Sequence, residues 1–400
     1  MTDEARPVLY VMDTLGLSGR TKGIIDLALH LDPRRYKPIF CSLGEESSEL
    51  AERLNEGRVP IEVLPLPAGL RPDGVWKLAA LIRRHKIQVV HPVNPRPLIY
   101  AGLAARLCGL RSAVGSLSAF ACQVPDREYR FLPHELVNRG RRQALRNQVA
   151  VRLMRHVVAV SDELGERFCR FTAAAAGPAS GLAYRALRRR MHAISYGIDL
   201  APYRAVTPEQ IAALRVQLGA TRDTVLIGSV GRLVEQKDYP TQLRAFAIAA
   251  RGEPRLRMVL AGDGPLRGAI EAMAAELGIT DRVVLLGHWT RVPALLRALD
   301  VFVLASKFEP YGVALLEAKC AGSAIVATAV NEIPKLLRDG VTGLVVPAEE
   351  PQPMAHAFLR MAQDAALRRS LADAAFAEAE HKHSIHAVAG AYQALYDNPS

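Results

Sequence analysis

The 400-residue chain is half apolar, carries a net charge of +11 and holds five cysteines, a length that one hydrophobic core rarely organises and that suits two domains of roughly 200 residues. No stretch approaches the roughly 18 to 20 uninterrupted apolar residues of a membrane span, and the start MTDEARPVLYVMD is acidic where a signal peptide is basic, so a cytoplasmic protein is expected. Cys41, Cys108, Cys122, Cys169 and Cys320 are scattered with no Cys-x-x-Cys pair, which argues against a disulfide framework or thiolate zinc site and reads as reduced thiols.

In chain order, the first run of strand length is VLYVM (8–12), which leads through a loop with Gly16 and Gly19 into the helical pattern of GIIDLALHL (23–31). Glycines there let backbone N–H groups approach a phosphate at a helix N-terminus, although a plain tight turn has the same composition and no Walker A spacing is present. The runs PIFCSL (38–43), IEVLPL (61–66), IQVVH (87–91), SAVGSL (112–117) and VVAV (157–160) follow, with helical stretches between them. Strands apolar on both faces and separated by helices indicate a doubly covered parallel sheet. His91, beside a proline in VVHPVNP, fits either a structural role or the acceptor side of a site. In residues 126–157 arginines alternate with Leu, Val, Phe and Met at helical spacing. Such a helix lies on an anionic membrane surface or packs on the core with an arginine-rich solvent face. Residues 1–195 hold 30 Lys and Arg against 18 Asp and Glu, while the remainder is near neutral. This asymmetry suggests an anionic partner for the first half, or a solvated basic face.

An Ala/Gly-rich and then basic segment, 171–199, precedes a second series of apolar runs: TVLIGSV (224–230), RMVLAG (257–262), RVVLLG (282–287), VFVLAS (301–306), AIVATA (324–329) and GLVVP (343–347). The expected domains are 1–198 and 199–375, with a helix in 376–400 packing back toward the first, and a ligand site in the cleft between two doubly wound units. Behind the first run of the second series, GSVGRLVEQKD (228–238) presents Arg232 and Lys237 beside Gly231. An arginine fork and a lysine can neutralise a nucleotide diphosphate together, or salt-bridge a surface loop. In LASKFEPYGVALLEAKCAG (304–322), Glu309 precedes a Pro-Tyr-Gly turn and Glu317 lies eight residues on, with Gly312 at the helix start. That helix would offer free N–H groups to a phosphate.

VSDELGERF (160–168), ISYGIDL (194–200), GRLVEQKD (231–238), AGDGPLR (261–267), LGHWTRVPALLRALDVFVLAS (286–306), FEPYGVALLEAKCAG (308–322) and DGVTGLVVP (339–347) form an ordered set. By that set the chain resembles family 4 of the retaining glycosyltransferases, closely over 157–347 and loosely over 8–120. The resemblance implies an α/β GT-B fold, two Rossmann-like doubly wound domains facing across a cleft. It also implies an acceptor-binding first domain and a donor-binding second. Arg232 and Lys237 then match the pair gripping the donor diphosphate, Glu317 the ribose ligand and Glu309 the group facing the transferred sugar. Gly231, Tyr311, Gly312 and Val313 match backbone contacts to the donor, while Gly16 and Gly19 close over the diphosphate from the first domain. The chain departs from the family where Asn331-Glu332-Ile333-Pro334-Lys335 replaces Gly-Gly-Ile-Pro-Glu, and where GSLSAF (115–120) lacks the family's histidine, leaving His91 as the nearest candidate.

The resemblance therefore implies a retaining hexosyltransferase that uses a nucleotide-diphosphate sugar, UDP favoured, as substrate and needs no cofactor. Front-face attack through an oxocarbenium-like transition state is the expected route. No Asp-x-Asp motif is present, so no obligatory divalent metal is expected. The expected acceptor is a glycan or lipid-linked sugar of polysaccharide or envelope synthesis. The alternatives are a catalytically silent nucleotide-sugar binder or scaffold, and a nucleotide-sugar epimerase. Nucleic acid is not expected as a partner, because no aromatic-basic module accompanies the charge.

Overall fold

The computed structural model describes residues 5–15, 19–44, 54, 56–67, 69, 71–118, 135–174, 176–309 and 311–398, with side chains left aside at 19, 20, 135–141 and 178. Gly16, Cys122 and the stretch 126–134 fall outside the described residues. Two compact units result, one of Met1–Gly197 with Ile385–Ser400 and one of Ile198–Ser384.

In the first unit β1 (Arg6–Met12), β2 (Tyr36–Ser42), β3 (Ile61–Val63) and β4 (Val89–Pro92) form a parallel sheet in the order β3-β2-β1-β4. Parallel bridges Val90↔Ala113 and Val93↔Ser116 carry the sheet on to β5 (Val114–Leu117), β6 (His156–Ala159) and β7 (Met191–Ala193). β4 and β5 are buried along their whole length, which is why their sequence runs apolar without alternation. The final helix, Ile385–Asp397, belongs to this unit and buries Ile385, Val388, Ala389, Tyr392 and Tyr396. Those positions follow a helical period, so one apolar stripe packs with the first helix, Gly19–Leu29, in a shared core.

The second unit is a six-stranded parallel sheet of β8 (Val225–Val230), β9 (Leu256–Ala261), β10 (Val283–Gly287), β11 (Val301–Leu304), β12 (Ala324–Thr328) and β13 (Leu344–Val346). Its order is β10-β9-β8-β11-β12-β13. Winding runs outward from β8 in one direction and from β11 in the other, so the topological switch falls between these two neighbours. The helices Tyr239–Gly252 and Pro351–Gln363 pack together on the sheet, contributing Leu243, Phe246, Met354 and Phe358 to a continuous core.

Candidate functional site

In a doubly wound sheet the loops leaving the two strands at the switch diverge and leave a crevice at their carboxyl ends. Here those loops are 231–238 after β8 and 305–312 after β11, and they carry Arg232, Lys237 and Glu309. Lys237 Nζ lies 2.5 Å from Glu309 Oε2. The Ser306 hydroxyl donates to the same oxygen at 3.2 Å. Glu309 is buried, and among the described residues its Oε1 has no hydrogen-bond partner. Arg232 is exposed and makes no ion pair among the described residues.

The two loops are tied to each other by one side-chain and one backbone hydrogen bond. Gln236 Nε2 donates to the Phe308 carbonyl at 2.9 Å, and Lys307 N–H donates to the Gln236 carbonyl at 3.0 Å. Tyr239 Oη donates to the Gly231 carbonyl at 3.0 Å. Behind them runs the loop after β9, where a Cβ on Gly262 would meet the Gly231 carbonyl oxygen at 1.9 Å. Only glycine permits that backbone-to-backbone approach, so AGDGPLR supports the Arg232 loop from beneath.

Gly312 caps the N-terminus of the helix Val313–Ala321 at φ 98°, and a Cβ there would lie 2.8 Å from Ile333 Cδ1. The Leu315 and Leu316 N–H groups already donate to the Gly312 carbonyl at 3.0 and 3.1 Å, which leaves the N–H groups of Val313 and Ala314 without an intrahelical acceptor at the positive end of the helix dipole. Tyr311 is buried just ahead of them, and Glu317 lies half-buried on the next turn of the same helix. The structure thus joins Lys237 to Glu309 directly and leaves Arg232 outside that ion pair.

Sequence reading missed two groups. Ser306 carried no signal, since a serine after a strand is common. Asn331 registered only as a replaced glycine. The structure puts it at φ 47° with its Oδ1 accepting the Glu309 N–H at 3.0 Å. Its neighbour Glu332 is buried, with Lys335 Nζ 3.4 Å from Oε1.

In the first unit Gly19 begins the helix Gly19–Leu29 behind β1, while Gly16 lies outside the described residues. His91, taken from sequence as an acceptor-side candidate, is instead sealed in the core. Its Nδ1 is 2.5 Å from Tyr396 Oη and its Nε2 2.7 Å from Ser116 Oγ, with the rings of Tyr10 and Tyr392 packed on it. Burial pushes its pKa down to about 3, so the imidazole stays neutral and both nitrogens are spoken for. The arginine-rich segment is a helix over Glu135–Leu153, which buries Ala144, Asn147, Gln148 and Val151 and exposes Arg142, Leu145, Arg146, Val149 and Arg152. The helices Pro72–Arg84 and Pro95–Leu107 pack beside it in turn and expose Trp76, Leu103 and Leu107. No helix among the described residues is long and apolar enough to cross a membrane.

Comparison with known proteins bears on both units. The family described as Glycosyltransferase Family 4 matches residues 18–177, and that described as Glycosyl transferases group 1 matches residues 210–378. The alpha-D-kanosaminyltransferase of Streptomyces kanamyceticus is 31% identical over 209 residues, 52% of this chain and 54% of that protein. The lipopolysaccharide core biosynthesis glycosyltransferase LpsE of Rhizobium meliloti is 31% identical over 189 residues, 47% of this chain and 54% of that protein. The chain thus spans about half the length of the curated relatives it matches. Anabaena HepE, solved in complex with UDP, superposes with a TM-score of 0.75 at 20% identity, over 97% of this chain and 98% of that one. That likeness is one of fold, the GT-B architecture of two Rossmann-like domains.

Proposed function

This chain belongs to the group 1 glycosyl transferases, with a family 4 glycosyltransferase domain preceding that part, and from that premise we propose that it moves a hexose from a nucleotide diphosphate, UDP favoured, to a glycan or lipid-linked acceptor of the cell envelope. The observation that carries the reading is the Lys237–Glu309 pair beside an exposed Arg232, on the two loops leaving the switch of the second unit.

A diphosphate arriving there competes for Lys237 and draws Arg232 inward. Both cations then neutralise the charge that grows on the leaving phosphate. As Lys237 turns to the phosphate, Glu309 is released toward the hydroxyls of the transferred sugar. Gly312 and Val313 offer backbone N–H groups at a helix N-terminus, Gly231 and Tyr311 line the approach, and Glu317 reaches the ribose. The acceptor hydroxyl attacks C1 on the face from which the phosphate departs. The C1–phosphate bond breaks, the new glycosidic bond forms, and the hydroxyl proton passes to the leaving phosphate. Configuration is retained without a protein nucleophile or a divalent ion. UDP as the nucleotide is supported by the bound UDP of the Anabaena protein. An envelope acceptor is supported by the lipopolysaccharide role of the Rhizobium relative.

The acceptor side is proposed to work at the inner face of a membrane. Leu145 and Val149 stand exposed among Arg142, Arg146 and Arg152, with Trp76 and Leu107 on the adjoining helices, and apolar side chains set among cations suit an anionic lipid surface.

UDP release from UDP-glucose in excess chelator tests the catalytic reading, with the anomeric proton coupling of the product reporting stereochemistry. Turnover with retention is expected. Nucleotide binding without any UDP release would assign the chain to silent binding, and activity restored only by Mn²⁺ or Mg²⁺ would remove metal independence.

A further inference from the structure

Asn331 stands just beyond β12, in the left-handed region that Gly and Asn enter most readily. A glycine would meet the backbone demand equally well. What asparagine adds is an amide oxygen, and that oxygen accepts the backbone N–H of Glu309, 22 residues earlier, at 3.0 Å. The ends of β11 and β12 are joined a second time by Thr328 Oγ1, which donates to the Ser306 carbonyl at 2.6 Å. Glu332, next in the chain, is 2% exposed and paired with Lys335, which anchors the turn from the other side.

Glu309 is therefore held at three points. Asn331 takes its N–H, and Lys237 and Ser306 share its Oε2. When Lys237 turns to a phosphate, Asn331 and Ser306 still hold the Glu309 backbone and Oε2, and Oε1, without a hydrogen-bond partner among the described residues, is left for a ligand. We propose that Asn331 is a positioning residue for the transferred sugar, fixing the Glu309 backbone so that its second carboxylate oxygen meets sugar hydroxyls and discriminates among donor sugars. The inference rests on the donor-site reading of Glu309. It predicts an effect confined to the sugar half of the donor, because the diphosphate is held from the 231–238 loop and by the helix N-terminus at Gly312, neither of which Asn331 touches.

The test is calorimetric titration of the full chain with UDP and with UDP-glucose, for the wild type, Asn331→Gly and Asn331→Asp, with melting temperatures measured alongside. Asn331→Gly keeps the left-handed backbone and removes the acceptor, while Asn331→Asp keeps both. For Asn331→Gly we expect UDP affinity within about twofold of wild type and UDP-glucose affinity lower by about tenfold, the worth of one part-buried hydrogen bond. For Asn331→Asp we expect UDP-glucose affinity within about threefold of wild type. Equal loss for both ligands in Asn331→Gly would reduce the residue to a structural one, and wild-type affinities for both would leave it no role; either result overturns the proposal. A wild-type chain that binds UDP but gains nothing from the sugar overturns it too, whereas one that binds neither ligand removes the donor-site reading and this inference with it.

Discussion

Lys237 and Glu309 stand 72 residues apart in the chain and meet at 2.5 Å because β8 and β11 are neighbours in the sheet of the second unit. The pair is mostly enclosed, with side-chain exposures of 19% and 10%, so each charge depends on the other.

Lys237→Ala leaves the Glu309 carboxylate without its counter-charge, and a loss of about 1 to 3 kcal/mol of stability is expected by denaturant titration. Glu309→Gln keeps the shape and costs less stability. Both variants should lower UDP-glucose turnover by about a hundredfold or more, since the proposed mechanism sets Lys237 against the charge growing on the leaving phosphate and Glu309 against the sugar. A folded Lys237→Ala protein with normal turnover would exclude the lysine from the chemistry.

Stability should fall with acid through two buried histidines. Burial lowers His91 from 6.5 to about 3. Burial, aided by the Lys319 charge, lowers His383 from 6.5 to about 4. Between those limits the unfolded chain binds protons that the folded chain refuses, so stability is complete above about pH 7 and drops as pH falls through 6.5, by up to about 1.4 kcal/mol per pH unit for each histidine. Denaturant midpoints from pH 7.5 to 4.5 check this. His91→Gln should lower stability at neutral pH and flatten the acid slope of the first unit by close to one proton.

Glu378 compensates a fully buried lysine. Lys319 Nζ lies 3.6 Å from Glu378 Oε2, and Arg338 and Lys382 approach the same carboxylate at 3.4 and 3.3 Å. Glu378→Gln should cost about 3 kcal/mol, whereas Lys319→Met should be near neutral and should recover most of the loss when combined with Glu378→Gln. Additive losses in the double variant would mean that the pair is not what couples the two helices.

The exposed face of the helix Glu135–Leu153 gives a salt-dependent prediction. Arg142→Ala, Arg146→Ala and Arg152→Ala together should weaken binding to phosphatidylserine-containing liposomes by about a hundredfold at low ionic strength, at about 1 kcal/mol per cation. Wild-type protein that fails to co-sediment at low salt would end the membrane proposal.

Most strands were legible because burial on both faces forces unbroken apolar runs, and each of the twelve runs named from sequence lies in a strand or overlaps one, although β3 and β10 are only partly buried. β7, only Met191–Ala193, was harder to place at the end of a basic stretch. The break between the helices Ala365–Lys382 and Ile385–Asp397 falls at His383 and Ser384, without the glycine or proline that marks a boundary in sequence. Arg232, Lys237, Glu309 and Gly312 were visible because they sit in loops bound to the switch strands. The bond from Asn331 was not, since it depends on how the ends of β11 and β12 fall opposite one another. The enclosure of His91 was equally hidden, because its partners Tyr392 and Tyr396 come some 300 residues later, on a helix that returns to the first unit.

The central claim is electrostatic, that the cations at 232 and 237 hold the donor's diphosphate. Titrating UDP into the wild type and into Arg232→Ala/Lys237→Ala, with folding checked by melting, measures it most directly. Binding by the wild type and a loss of at least about a hundredfold in the double variant is the result predicted, from two charge-assisted contacts worth about 1.5 to 3 kcal/mol each. A folded double variant that binds UDP as tightly as the wild type would contradict it.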